Sequence, residues 1–329
     1  MRKAIEKFCT KIGLDPLLVQ GAGGNISWKD GEILWVKASG MWLVDAEKQD
    51  IFVPVDLKKI REEIEKNNYS VDIQALNLSE LRPSIETILH SQMPHKVVLH
   101  VHAVEILPYL VTKNYLELID TILGDIYKTG FVDYKKPGPD LARAIGNIFL
   151  YSPGTQVLFL QNHGIVVGGD NIDEIDRILN DLVSRIGRNS SKQVALHNDI
   201  SFSPTLTGYY PVLDNEIHNL VLNKDYFSNV QKNWALYPDH VVFLGKKAFC
   251  YNSMKEFILS NERPDLLFIK GVCVYTLSKF SRAKLDQLKC YYNVIARLNI
   301  NYTIKILNSK EINELLNWDL EKYRMKNSK

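Results

Sequence analysis

Apolar and polar residues alternate along the first part of the chain in short blocks that predict helices and strands in mixed order. Residues 1–13 place apolar side chains at helical spacing between lysines and glutamates, which is typical of an amphipathic helix. An Asp-Gly pair at 30–31 separates two apolar segments and predicts a β-hairpin. The other predicted elements are strands at 51–55, 156–160 and 165–169 and helices at 56–66, 84–93, 104–129, 140–149 and 173–186.

The pattern weakens into polar residues over 189–207, where Ser203-Pro204 also favours a loop. We therefore expect two domains, one formed by residues 1–200 and a smaller α/β extension formed by residues 201–329. The elements predicted in the extension are a strand at 240–245, a hairpin at Lys270-Gly271 and a helix at 278–298. The extension contains no cluster of catalytic residue types, so a capping or oligomerisation role is expected there.

Composition narrows the class of protein. The 329 residues are 46% hydrophobic, enough to bury one large core or two smaller ones. A net charge of +2 gives no strong field for polyanions, so nucleic acid is not expected as a partner. No apolar run approaches the roughly 20 residues that cross a membrane, and residues 1–13 do not resemble a signal peptide. The four cysteines form no C-x-x-C pair, and a reducing cytoplasm is the expected location.

Three histidines carry the most specific chemistry in the chain. His100 and His102 lie in the apolar run 97–104, and His163 follows a predicted strand. Side chains two residues apart on a strand share a face, so the first two imidazoles can bind one metal ion. A third histidine from a neighbouring strand would complete the three-ligand arrangement of catalytic zinc. Burial of these histidines as ordinary core residues is the alternative that the residues leave open.

Glu86 and His90 lie just upstream, four residues apart, and share one face if this segment is helical. A carboxylate beside a group of imidazoles is what a metal-assisted proton transfer requires. Glu86 is therefore a candidate acid/base. His90 either orients its neighbours or is a packing residue.

Two segments of small residues, 21–27 and 38–40, flank the predicted hairpin. Side by side, they can present backbone N–H groups and short polar side chains to an anion, for which phosphate is the natural candidate. Glycines that only form turns would give the same pattern.

Taken together, these motifs resemble the class II aldolase/adducin family in order and approximate spacing. The resemblance covers roughly residues 1–200 and extends to fuculose-1-phosphate and rhamnulose-1-phosphate aldolases and to the aldolase portion of rhamnose-utilisation proteins. It implies a three-layer α/β/α domain with a mostly antiparallel central sheet and a homo-oligomer, often a tetramer. The motifs that carry it are Gly24-Asn25, Ser39-Gly40, Ser84-x-Glu86, His100-x-His102 and His163-Gly164.

The same resemblance implies which residues form the active site. His100, His102 and His163 would bind Zn²⁺, or Mn²⁺ or Co²⁺, and Glu86 would be the acid/base. The implied reaction is the reversible cleavage of a sugar phosphate or related ketose through a metal-stabilised enediolate. The substrate phosphate would be held by Gly24, Asn25, Ser39, Gly40 and Ser84.

The chain departs from the family pattern at Ile85, where the phosphate aldolases carry a second serine. Arg82 offers a compensating charge, so we include it among the anion-binding candidates, and the anion is a phosphate or a carboxylate. The same scaffold also supports decarboxylase, epimerase and dehydratase reactions, and adducin-like members are interaction modules without a metal. Candidates for a proton-donating tyrosine, none of which a motif assigns, are Tyr109, Tyr115 and Tyr134.

Overall fold

The computed structural model describes residues 1–77, 80–189 and 206–328. In the N-terminal part, strands and helices are interleaved along the chain. The strands are β1 (Asn25–Asp30), β2 (Ile33–Lys37), β3 (Phe52–Asp56), β4 (Val97–Val101), β5 (Thr129–Val132), β6 (Val157–Leu160) and β7 (Gly164–Gly169). The helices are α1 (Arg2–Gly13), α2 (Leu57–Glu65), α3 (Thr87–Gln92), α4 (Leu107–Leu110), α5 (Tyr115–Leu123), α6 (Pro139–Tyr151) and α7 (Ile172–Gly187).

These strands form one seven-stranded sheet in the order β3-β2-β1-β4-β7-β6-β5. Neighbouring strands are antiparallel except β5 and β6, which are parallel. β4 lies in the middle, and its register places His100 opposite Asn25 of β1 and Val166 of β7. The strands that carry the glycine-rich segment and the histidines are therefore direct neighbours.

Helices cover both faces of this sheet. Leu99 packs in one hydrophobic cluster with residues of α1 and α7, whereas Val98 packs in another with residues of α3 and α6. Successive strand residues point to opposite faces, which explains why adjacent residues of β4 belong to different clusters. The predicted three-layer α/β/α arrangement with a mostly antiparallel sheet is confirmed.

The C-terminal part forms a smaller α/β unit, as predicted. Its four-stranded sheet has the order β8-β11-β10-β9. The strands are β8 (Tyr209–Pro211), β9 (Cys250–Tyr251), β10 (Leu266–Ile269) and β11 (Cys273–Leu277). The helices are α8 (Asn219–Leu222), α9 (Lys224–Lys232), α10 (Pro238–Leu244), α11 (Met254–Ser260), α12 (Arg282–Ile295), α13 (Ser309–Leu316) and α14 (Asp319–Asn327).

The C-terminal part packs directly on the N-terminal part. Residues of α10 and α12 belong to the same hydrophobic cluster as β4 and α1. Asn162, in the turn between β6 and β7, donates hydrogen bonds from Nδ2 to the carbonyl oxygens of Leu236 and Lys305, each at 2.8 Å. The domain boundary expected near residue 200 lies outside the described residues.

One predicted element is wrong. Residues 240–245 were expected as a strand, but Pro238–Leu244 form helix α10, which is buried on all sides. A short run that is apolar throughout has no period that separates a buried strand from a buried helix. Proline in the first turn and Gly245 immediately after the last turn, with φ +91°, are the signals that favoured the helix.

The other predicted elements differ mainly at their ends. The hairpins at 30–31 and 270–271 are present, and Asp56 caps α2 by accepting a hydrogen bond from the Lys59 N–H at 2.8 Å. The long helix expected over 104–129 is divided into α4 and α5. Within the described ranges, no helix combines the length and apolar character that a membrane span needs.

Candidate metal centre

The sheet brings the three histidines together. His100 lies in β4, His102 follows one residue after that strand ends, and His163 lies in the turn between β6 and β7. Asn162 has a left-handed backbone, φ +52°, in this tight turn. The three ring centroids are 4.8 to 5.5 Å apart. One nitrogen from each ring lies within 4.8 Å of the other two, and all three side chains are buried.

The hydrogen-bond partners of two rings assign their tautomers. Nδ1 of His100 lies 2.9 Å from the carbonyl oxygen of Ile165, and Nδ1 of His102 lies 3.4 Å from a carboxylate oxygen of Asp239. Each of these nitrogens is therefore the one that carries the proton, which leaves a lone pair on each Nε2. The two Nε2 atoms are 3.1 Å apart, so two acceptors face each other.

A divalent cation bound to both Nε2 atoms would relieve this contact between two lone pairs. Two Zn–N bonds of about 2.0–2.1 Å at a tetrahedral angle would separate the nitrogens by about 3.3 Å, close to the distance between His100 and His102. Burial lowers the pKa of His102 to about 3 and that of His163 to about 4. Both rings are therefore neutral at pH 7, as metal ligands must be, and the donor set fits the metal that the family resemblance implies.

Glu86 lies on the open side of this cluster, immediately before α3. Its Oε2 is 3.5 Å from Nε2 of His100, and its Oε1 is 3.5 Å from Nε2 of His163. Asn25 donates a hydrogen bond from Nδ2 to Oε2 at 2.8 Å, which favours the ionised carboxylate. The structure thus brings the predicted acid/base to the three imidazoles.

His90 does not join the imidazole cluster. Its Nδ1 lies 2.8 Å from the hydroxyl of Ser27, and its Nε2 contacts the side-chain oxygen of Asn25. Asn25 in turn holds Glu86, so His90 orients the candidate acid/base through one intermediate side chain. Burial lowers the pKa of His90 to about 3, so the ring is neutral at pH 7.

A carboxylate from the C-terminal part also contacts the centre. Asp239, in α10, faces His102 and accepts two hydrogen bonds from Arg324 of α14, at 2.6 and 2.7 Å. Burial would raise the pKa of Asp239, but the guanidinium of Arg324, together with the His102 and His163 rings, outweighs burial and lowers this pKa well below its usual range. The ionised carboxylate fixes the His102 ring, an arrangement typical of metal-bound histidines.

Most of the predicted site residues line one pocket. Its walls contain two of the three histidines, Glu86, and the residues predicted to hold phosphate, which are Gly24, Asn25, Ser39, Gly40 and Ser84. Arg82 is not in these walls. Its exposed guanidinium lies 4.7 Å from the ring centroid of Tyr323, in a neighbouring cleft.

Sequence reasoning missed four charged residues of this pocket, namely Lys37, Asp239, Glu321 and Arg324. Lys37 ends β2, and its ammonium donates to the carbonyl oxygens of Ala22 and Met41 at 3.1 and 2.6 Å. Burial and, less strongly, Arg324 lower the pKa of Lys37 to about 7. The other three come from helices α10 and α14, and no motif in the sequence marks them.

Helix α14 covers the predicted phosphate loop. Gly40 has φ +83°, and a Cβ atom there would lie 2.8 Å from Cβ of Asn327 and 3.2 Å from the carbonyl oxygen of Arg324. Only glycine accommodates both this backbone and this approach. The C-terminal extension therefore forms one wall of the pocket.

Gly164→Ala is expected to disturb the metal centre directly. A Cβ atom at Gly164 would lie 2.6 Å from the carbonyl oxygen of Val101 and within 3.0 Å of both the His100 and His102 rings. We expect the two imidazoles to shift and the affinity for Zn²⁺ to fall about 10- to 100-fold, the usual cost of disturbing the groups that support metal ligands. Calorimetric titration of the metal-free protein with Zn²⁺ measures this.

Gly169→Ala, at the other end of β7, is the matched control. The atoms nearest to its Cβ would be side-chain atoms of Glu174 and Ile175, at 3.2 to 3.3 Å. Equal Zn²⁺ affinity in the Gly164→Ala variant and in the control would contradict the close packing of β7 against the histidines.

The fold and the histidine cluster together define an α/β protein with a buried centre suited to a divalent metal. The sequence model described as the Class II Aldolase and Adducin N-terminal domain matches residues 5–178, and the chain belongs to this family. The family resemblance read from the motifs is thereby confirmed.

The similar proteins differ in how much of the chain they match. An uncharacterized oxidoreductase of Bacillus subtilis is 25% identical over 80% of this chain, which spans only 38% of that relative. An L-fuculose phosphate aldolase of Methanococcus vannielii is 30% identical over 52% of this chain and 86% of its own length. Among solved structures, the N-terminal class II aldolase domain of a conserved Thermoplasma acidophilum protein is 30% identical, with a TM-score of 0.47, over 56% of this chain and 91% of its own.

Proposed function

We propose that this protein is a divalent-metal-dependent aldolase that reversibly cleaves a sugar phosphate or related ketose. The observation that carries the proposal is the convergence of three buried imidazoles with Glu86 within 3.5 Å of two of them. An interaction module has no need for such a centre. The L-fuculose phosphate aldolase of Methanococcus vannielii named above adds support for a sugar phosphate as the substrate class.

In this proposal, His100, His102 and His163 hold the metal, which is zinc or, with the same ligands, manganese or cobalt. When bound, the metal supplies Lewis-acid chemistry to the oxygens of the substrate. Glu86 moves a proton between its carboxylate and the substrate carbon next to the broken bond. Asn25 and His90 keep that carboxylate in position.

The small-residue loops at Gly24 and at Ser39-Gly40 bind the anionic end of the substrate, with Ser84 beside them. Lys37 lines this side of the pocket, and its amine adds positive charge when it is protonated. We infer that residues 1–200 provide the catalytic domain and that residues 201–329 complete its pocket. The expected homotetramer and the cytoplasmic location stay predictions.

The test is a cleavage assay with a panel of ketose phosphates and free ketonic acids. We expect the Zn²⁺-loaded protein to release an aldehyde, and not CO₂, from at least one ketose phosphate. Chelation should abolish the reaction, and added Zn²⁺, Mn²⁺ or Co²⁺ should restore it, because neutral imidazoles accept each of these ions. Release of CO₂, or cleavage that survives chelation, would contradict the proposal.

A further inference from the structure

Glu321 is a second glutamate in the pocket, and none of the roles described so far uses it. It lies in the first turn of α14, is 2% exposed, and lines the same pocket as Glu86, His102 and His163. Its Oε2 is 3.3 Å from the guanidinium of Arg324. Its Oε1 is buried and has no hydrogen-bond partner in the part of the chain that the structure describes.

A structural ion pair does not account for this carboxyl group. Asp239 already pairs with Arg324 through two hydrogen bonds at 2.6 and 2.7 Å, so the guanidinium does not need Glu321 for neutralisation. A buried carboxyl oxygen without a donor is destabilising, and such groups usually have a function. The orphaned Oε1 atom therefore indicates a partner that arrives with the substrate.

The surroundings also suit proton transfer. Burial raises the pKa of Glu321 above its usual range, although Arg324 opposes the shift. A carboxyl group with a raised pKa gives up and takes a proton more readily near neutral pH than an exposed one does.

An aldol cleavage needs two proton transfers at different atoms. One proton leaves the hydroxyl oxygen on the aldehyde side of the breaking bond, and another reaches the carbon on the ketone side. Glu86 is assigned to the carbon. No tyrosine among the described residues lines the pocket, and the hydroxyls of Tyr109 and Tyr115 contact Ile186 and Asp133 instead.

We propose that Glu321 is the catalytic residue that takes the proton from the substrate hydroxyl in cleavage and returns it to the aldehyde oxygen in condensation. The assignment rests on the proposed aldolase function. In cleavage the O–H bond breaks, its electron pair forms the C=O bond of the aldehyde, and the C–C pair stays on the ketone fragment as an enediolate. Glu86, which takes up a proton from water before this step, gives it to the enediolate carbon, so Glu321 gains one proton, Glu86 loses one, and nothing is oxidised or reduced. Exchange with water then returns both carboxyl groups to their starting states. Condensation runs the same steps in reverse, starting from the ionised Glu86 that its hydrogen bond from Asn25 favours.

The test separates the two transfers. In deuterium oxide, exchange of the carbon-bound hydrogen of dihydroxyacetone phosphate or dihydroxyacetone needs Glu86 but no aldehyde. We expect Glu321→Gln to slow cleavage about 10²- to 10⁴-fold while exchange stays within a few-fold of the wild type. Glu86→Gln should lose both reactions. NMR follows the exchange, and aldehyde release follows the cleavage.

Glu314→Gln, an exposed position on α13, is the matched control and should leave both rates unchanged. Glu321→Asp keeps the carboxyl group but withdraws it by one methylene, and we expect a rate of cleavage between those of Glu321→Gln and the wild type. Metal content and the melting temperature confirm that each variant is folded and loaded.

Two results would overturn the assignment of Glu321: cleavage at the wild-type rate in Glu321→Gln, or loss of exchange together with cleavage. The second result would indicate general damage to the site. If the metal-loaded wild type catalyses neither reaction, the proposed aldolase function is wrong, and the assignment of Glu321 is then wrong as well.

Discussion

His100→Ala is expected to lower the affinity for Zn²⁺ by more than about 100-fold and to remove the activity with it. The variant loses one of three imidazole ligands, and its effect should exceed the roughly 10- to 100-fold cost of changing a residue that only supports a ligand. His100 is fully buried between β1 and β7, so no other described side chain can reach its position without moving the sheet. Elemental analysis after dialysis and calorimetric titration measure the loss.

His95→Ala is the matched control, because His95 lies just before β4 and outside the imidazole cluster. We expect this variant to bind Zn²⁺ as the wild type does. Full metal content in His100→Ala would show that the imidazole cluster is not the metal site.

Glu86→Gln should keep the metal and lose about 10²- to 10⁴-fold in turnover, the usual contribution of a general acid/base. Glutamine has nearly the same shape, and its amide oxygen can still accept the hydrogen bond that Asn25 donates to Glu86. The amide cannot take up a proton at working pH, so the variant removes proton transfer and little else. Steady-state rates on the substrate found in the panel, with metal content measured in parallel, test this expectation.

Glu117→Gln, on the exposed side of α5, provides the same substitution away from the pocket and should have no effect. Undiminished turnover in Glu86→Gln would show that Glu86 is not the acid/base. Loss of metal from that variant would instead make Glu86 a permanent ligand.

The central part of this architecture is predictable from local patterns. Short apolar blocks bounded by turn residues correctly place β1 to β4, β6 and β7, because strand and hairpin signals act over a few residues. The sequence pattern did not predict β5, which begins at the residue where the expected long helix was to end. The histidine motif carries more information than its length suggests, since its two-residue spacing determines a shared face. To predict that His163 lies near these two histidines, it was enough to expect that the strand next to His163 is a neighbour of the histidine strand in the sheet.

The part of the pocket contributed by the C-terminal extension was not predictable in this way. Helix α10 was mistaken for a strand, and Asp239 was therefore not connected with His102. Glu321 and Arg324 reach the pocket only because α14 packs over the Gly40 loop, a contact between segments more than 280 residues apart in sequence. No periodicity or spacing rule describes such a contact, which depends on tertiary packing.

The match to the family ends at residue 178, yet one wall of the pocket comes from α10 and α14, well beyond that point. The imidazole cluster and part of the wall that encloses it thus come from different stretches of the polypeptide. A chain that ended at residue 178 would keep the three histidines and Glu86 but would lose Asp239, Glu321 and Arg324, and water would enter the pocket from the side that α10 and α14 cover.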